Sequence, residues 1–283
     1  MFENIKNKLL QNSIIIENAL LEYYSFADKD YSFLIEAQKY GLLGGGKRIR
    51  ASLTLEVCRL LGGDVNAAIP YACAIEMIHA SSLIHDDMPC MDNDDIRRGK
   101  PATHKAFGET LALISGDAMF AYAFETAVTN SQLDARINAQ AVEILAKSSG
   151  NRGMLAGQAI DTVADKNKLD FETLVRLHKL KTGKLIAASA KLGCLAAGIS
   201  DNDEKYSATV KYAEDVGLAF QIIDDILDYQ DGKTELNSFL SFMSLEEAKI
   251  YANKLTQNGI SAIAPYDDGT LTELAHFLIT REY

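Results

Sequence analysis

Apolar residues recur at three- and four-residue intervals through most of the chain, the spacing that lines one face of an α-helix. Residues 5–24 and 32–42 keep this period until Gly44, Gly45 and Gly46 interrupt it. It resumes over 50–61 and stops at Gly62 and Gly63. Asp64 stands where a capping residue belongs, at the head of a helix that passes Pro70 near its first turn and runs to Asp87, with Pro89 ending or distorting it. Beyond a charged loop reaching Lys105, helices are predicted over 107–128, 134–149, 152–165, 170–180, 181–197 and 202–229. Two shorter ones follow Gly232, over 245–255 and 271–280. No alternation persists long enough to predict a strand, and no low-complexity linker marks a boundary. The expectation is one all-α domain spanning residues 1–283, a helical bundle.

Composition agrees. The chain has 283 residues, 48% hydrophobic, with only 4 prolines and no tryptophan, which suits a helical core rather than a turn-rich β architecture. A net charge of −11 argues against nucleic acid as a partner, so an anionic substrate needs a local basic pocket or metal. Cys58, Cys73, Cys90 and Cys194 are scattered without a CxxC pair, suggesting neither zinc nor disulfides and making the reduced cytoplasm the expected location. The N-terminus lacks the uninterrupted apolar core of a signal peptide, and Glu76 and His79 break the longest apolar run, so no transmembrane segment is expected.

Charge is concentrated in residues 83–109, LIHDDMPCMDNDDIRRGKPATHKAFGE. Asp86, Asp87, Asp92, Asp94 and Asp95 crowd together before Arg97, Arg98 and Lys100. At an effective dielectric of ~20, unit charges ~4 Å apart interact by roughly 4 kcal/mol. Such carboxylates splay into water, take up protons, or share cations. A second cluster, FQIIDDILD at 220–228, places Asp224 and Asp228 one turn apart on one helix face with Asp225 beside them. Asp86 and Asp92 are six apart, so a straight helix would separate them, and a break at Pro89 is needed to swing Asp92 back. Hard divalent ions with oxygen ligands are the natural counter-charge, and two facing clusters could hold several Mg²⁺ ions around a diphosphate.

The segment GLLGGGKR at 41–48 nearly matches a nucleotide phosphate loop, but Arg48 occupies the Ser/Thr position and a helix rather than a strand precedes it. Lys47, Arg48 and Arg50 still follow a glycine run at a predicted helix start, where amides and guanidinium groups suit phosphate oxygens.

The ordered set GGGKRIR, SLIHDDMPCMDNDDIRRGKPATHKAFGE, KTGKL at 181–185 and FQIIDDILD resembles the trans-isoprenyl diphosphate synthases, over roughly residues 30–230. The resemblance implies a prenyltransferase that condenses isopentenyl diphosphate with an allylic diphosphate, and a homodimer. It further implies that Asp86, Asp92 and Asp224 bind three Mg²⁺ ions, with Asp87, Asp225 and Asp228 in support. Arg97, Lys181, Thr182 and Gln221 would complete the allylic site, and Lys47, Arg50, His79 and Arg98 would hold isopentenyl diphosphate. Relatives making the C15 product usually carry an aromatic residue five positions before the first aspartate. Ser81 and Ser82 are small here, which favours C20 geranylgeranyl diphosphate over C15 farnesyl diphosphate, with Met77 or Ile78 as the alternative floor.

One segment departs from the family. After Asp228 relatives usually carry a glycine- and lysine-containing loop ending in KxTY, whereas this chain has a shortened YQDGKTELNSF. Lys233 stands in for one loop lysine, and Leu236 and Asn237 fall where the other belongs. A terpene cyclase, which needs no second diphosphate site, and a non-catalytic synthase subunit are the competing readings.

Overall fold

In the computed structural model the described residues are 2–26, 28–43, 45–163, 169–229 and 237–280. Lys233 and Leu236 therefore lie outside the described residues. The helices are α1 (Glu3–Tyr23), α2 (Ser32–Leu42), α3 (Ile49–Leu60), α4 (Val65–Asp86), α5 (Thr103–Phe107), α6 (Glu109–Val128) and α7 (Ala135–Ser149). They continue as α8 (Met154–Val163), α9 (Phe171–His178), α10 (Lys184–Ala196), α11 (Glu204–Asp228), α12 (Leu245–Ile263) and α13 (Thr270–Ile279). The all-α architecture expected from the periodicity is what the chain forms.

The axis of the fold is α4, which is apolar on nearly every side because α3, α6 and α10 enclose it. Helices α4 and α6 are both long and apolar enough to cross a membrane by length and composition, but α4 spends that character inside the core. Small residues allow close approach. A Cβ on Gly193 of α10 would lie 2.6 Å from the Thr54 carbonyl oxygen of α3, and Thr54 Oγ1 donates to the Ser189 carbonyl at 3.1 Å.

Aspartates begin several helices. Asp64 accepts from the Asn66 amide as expected, and Asp134 and Asp170 prove to be caps rather than first helical residues. Three other differences have physical causes. The helix predicted over 107–128 starts at Glu109, because Gly108 (φ 84°) separates it from the short α5 within the expected loop. Helix α12 extends to Ile263 through Asn258-Gly259, a turn-like pair, because Gly259 lies against the Tyr212 carbonyl and Val216 of α11. Finally, α9 and α10 are joined without a break by a π-helical turn, Lys179–Gly183.

Strands also exist where none was expected. β1 (Ile96–Arg97) and β2 (Lys100–Pro101) pair antiparallel, too short to leave any alternation in the sequence. Arg98 (φ 52°) and Gly99 (φ 73°) are both left-handed, as a type I′ hairpin turn requires.

Replacing Gly193 with alanine should overpack the α3–α10 contact and cost about 1–3 kcal/mol. Urea denaturation should show a lower midpoint with an unchanged slope; an unchanged midpoint would contradict the packing described.

Candidate active site

The first aspartate cluster closes as the spacing required. Helix α4 stops after Asp86, the loop turns through Asn93 (φ 55°), and the Asp92 amide donates to the Asp86 carbonyl at 2.9 Å. Asp92 is thereby folded back to Asp86. Both aspartate pairs stand at the C-terminal ends of their helices, α4 and α11, where the helix dipole already disfavours negative charge. Burial pushes the Asp86 carboxyl up to about 6; Asp92 and Asp87 add to the rise, while Lys181 and Arg97 oppose it.

Asp87 is buried. Its Oδ1 accepts from Arg97 Nε at 2.8 Å and from the same guanidinium's Nη2, which also reaches Asp94 at 3.0 Å. Asp225 is likewise committed, accepting from Gln221 Nε2 at 3.2 Å and from the Phe239 amide at 2.7 Å. These two aspartates, expected to support the metal ligands directly or through water, hydrogen-bond Arg97 and Gln221. Thr182 Oγ1 in the π turn donates to Gln221 Oε1 at 3.0 Å, which links that turn to α11.

Lys181 pairs with Asp161 of α8, a residue the sequence reading missed. Asp161 also accepts from Asn237, whose carbonyl lies 3.0 Å from His178 Nε2. The nearest sequence signal for this role was a carboxylate in α8 just past Gly157-Gln158. A Cβ on Gly157 would come within 2.3 Å of the Lys181 amide nitrogen, so this glycine lets α8 reach the turn.

The four basic residues expected to act together do line one cavity of about 230 Å³: Lys47, Arg50, His79 and Arg98, with an apolar wall from α11 and α13. Glu76 organises their backbone. This buried carboxylate accepts the Ala51 amide in the first turn of α3 at 3.0 Å and lies 3.5 Å from Arg48, whose Nη2 also donates to the Leu42 carbonyl at 2.6 Å. Arg48 is thus structural, and with helix α2 ahead of the glycine run the segment is not a nucleotide phosphate loop. Arg50 Nε is buried without a hydrogen-bond partner among the described residues, a donor left over for an anion. Burial lowers the Arg50 pKa, with Glu76 and Asp224 drawing it back, and Phe220 at the head of the second aspartate motif lines the cavity. Burial, followed by Arg50, Arg98, Arg48 and Arg97, holds His79 well below its ordinary 6.5.

The donors suit a hard cation: carboxylate oxygens near the ends of α4 and α11, with burial pushing the Asp86 carboxyl up. Among the described residues no three carboxylate, histidine or cysteine side chains already converge on one point, so Asp86, Asp92 and Asp224 do not form a ready-made cage. Ser81 is buried, its hydroxyl donating to the Ile78 carbonyl at 2.8 Å, and Ser82 donates to the His79 carbonyl at 2.9 Å.

Comparison with known proteins decides the family. The polyprenyl synthetase family model matches residues 32–239. The chain belongs to the polyprenyl synthetase family. It is 39% identical to geranylgeranyl pyrophosphate synthase 7, chloroplastic, of Arabidopsis thaliana, covering 87% of this chain and 76% of the relative. The geranylgeranyl diphosphate synthase of Cyanophora paradoxa is 38% identical over 98% of this chain and 97% of its own. The crystal structure of an FPP/GFPP synthase from Zymomonas mobilis superposes with a TM-score of 0.91 at 37% identity, covering 99% of this chain and 100% of that one.

A depressed His79 means the folded state binds fewer protons than the unfolded chain below pH 6.5. Its contribution to stability is therefore lost as pH falls through that value, by at most ~1.4 kcal/mol per unit relative to His79→Gln. The His79 ring resonance in the free protein should stay flat between about pH 8 and 6. A midpoint at the ordinary value would contradict the cationic surroundings described.

Proposed function

We propose that this chain joins isopentenyl diphosphate head to tail to an allylic diphosphate, releasing diphosphate and favouring the C20 product over C15. The observation that carries the reading is the presence of two adjoining polar subsites: the aspartate pairs with Arg97 and Lys181, and the separate basic cavity. A terpene cyclase has use for the first alone. The geranylgeranyl synthases among the relatives support both the reaction and the longer product.

In this reading Asp86, Asp92 and Asp224 would hold magnesium, three ions by resemblance, which neutralises the leaving diphosphate when bound. Arg97, fixed by Asp87, and Lys181, exchanging Asp161 for substrate oxygens, add positive charge to the same group. The allylic C–O bond breaks with its electron pair leaving on diphosphate. Isopentenyl diphosphate is held in the basic cavity by Lys47, Arg50, His79 and Arg98, so its double bond is presented to the allylic cation rather than to water. A new carbon–carbon bond forms, and the proton lost from the isopentenyl unit passes to the released diphosphate. Thr182 has its hydroxyl hydrogen committed to Gln221, leaving oxygen lone pairs toward positive charge. Asp225 and Asp228 complete the α11 end, and Lys233 supplies a further cation from outside the described residues.

Two wider proposals follow. Homodimerisation is supported by the exposed Leu113, Ile114 and Val128 of α6. A reducing cytoplasm suits four free thiols, three of them buried.

Labelled isopentenyl diphosphate, an allylic primer and Mg²⁺ should give a C20 product with this chain. Ser81→Tyr, one extended five-carbon unit or roughly 5 Å up the α4 wall, should shift it to C15. No incorporation by wild type would refute the condensation; an unchanged product from folded Ser81→Tyr would remove position 81 as the ruler.

A further inference from the structure

The β1–β2 hairpin carries adjacent arginines into two different subsites, yet strands of two residues cannot hold themselves in place. Arg97 has anchors of its own in Asp87 and Asp94. Arg98 differs: among the described residues no hydrogen-bond partner fixes its guanidinium. It passes over the glycine run so closely that a Cβ on Gly46 would lie 3.1 Å from Cζ. Its reach into the cavity is therefore set by the hairpin backbone.

What fixes that backbone is a reciprocal pair of contacts with α2. Lys100 Nζ donates to the Tyr40 carbonyl at 2.6 Å and to the Leu43 carbonyl at 3.3 Å, the C-terminal end of α2, where a cation is favoured. The same ammonium sits 3.9 Å from the centroid of the Tyr40 ring. In return the Tyr40 hydroxyl donates to the Pro101 carbonyl at 2.7 Å, and the Tyr40 ring meets Phe107 edge-on at 5.2 Å. Lys100 stands opposite Arg97 in the ladder, one residue past the turn that points Arg98. The clasp thus closes on the hairpin at its outgoing strand, immediately beside the left-handed turn.

We propose that Lys100 and Tyr40 are positioning residues whose clasp on the hairpin aims Arg98 at the diphosphate of isopentenyl diphosphate, an inference that rests on the condensation reading above. Loss of the clasp leaves Arg97 anchored and Arg98 adrift, so the two substrates separate. Lys100→Met, which keeps the stem and removes the ammonium, should raise KM for isopentenyl diphosphate roughly tenfold, the scale of one charge-assisted hydrogen bond. KM for the allylic substrate and kcat should stay within about twofold, and Tyr40→Phe should show the same split more weakly. Lys100→Arg, which retains the cation, should restore most of the loss. Hydrogen exchange over residues 95–102 should quicken in Lys100→Met, with α4 and α6 unchanged. An unchanged KM for isopentenyl diphosphate, an equal rise for both substrates, or unchanged exchange would overturn the clasp. If wild type forms no product, the condensation reading fails, and the exchange measurement still decides the clasp.

Discussion

Negative charge gathered at the C-terminal ends of two helices is the constraint on which the site depends. Helix dipoles put partial negative charge there already, and Asp86, Asp92 and Asp224 add full charges. The molecule spends other residues on limiting the cost. Asp87 is paired with Arg97 and Asp161 with Lys181, while Asp225 accepts hydrogen bonds from a backbone amide and a glutamine. Asp86, held at about 6 by burial, shows the cost that remains. Cations binding there with a diphosphate relieve the repulsion and gain ligands at once.

The positive side is governed by the same rule in reverse. Arg48, Arg50 and Arg98 crowd around His79, with the buried carboxylate of Glu76 beside Arg48. His79 responds by giving up its proton, and Arg50 keeps a donor without a partner. A pocket in this state binds an anion by supplying what burial withheld. The Asp224 carboxylate acts on Arg50, so the second aspartate motif and the basic cavity are electrostatically linked.

Much of this was legible in the sequence. The α-helical period, the Asp64 cap and the need for Asp92 to fold back to Asp86 followed from spacing and from Pro89 alone, and the grouping of Lys47, Arg50, His79 and Arg98 followed from the family's motifs. The hairpin was not legible, because two-residue strands leave no alternation and Arg98 is not a residue that signals a left-handed turn. The last turns of α12 beyond residue 255 were not legible either, because they pass through Gly259, which close packing on α11 calls for in mid-helix. Glu76 read only as a break in an apolar run; its part in holding α3 and Arg48 is a contact between α3 and α4 that no local pattern encodes. Asp161 was hidden for the same reason.

If the two aspartate motifs grip one diphosphate jointly, they form a single functional unit. The direct test is a double-mutant cycle on kcat with Asp86→Asn, Asp224→Asn and the double variant, in the folded protein with both substrates and Mg²⁺. The account predicts that each single change lowers kcat by roughly 10²–10³ and that the double variant is scarcely slower than the worse single. Losses that multiply, as for sites acting independently, would contradict it.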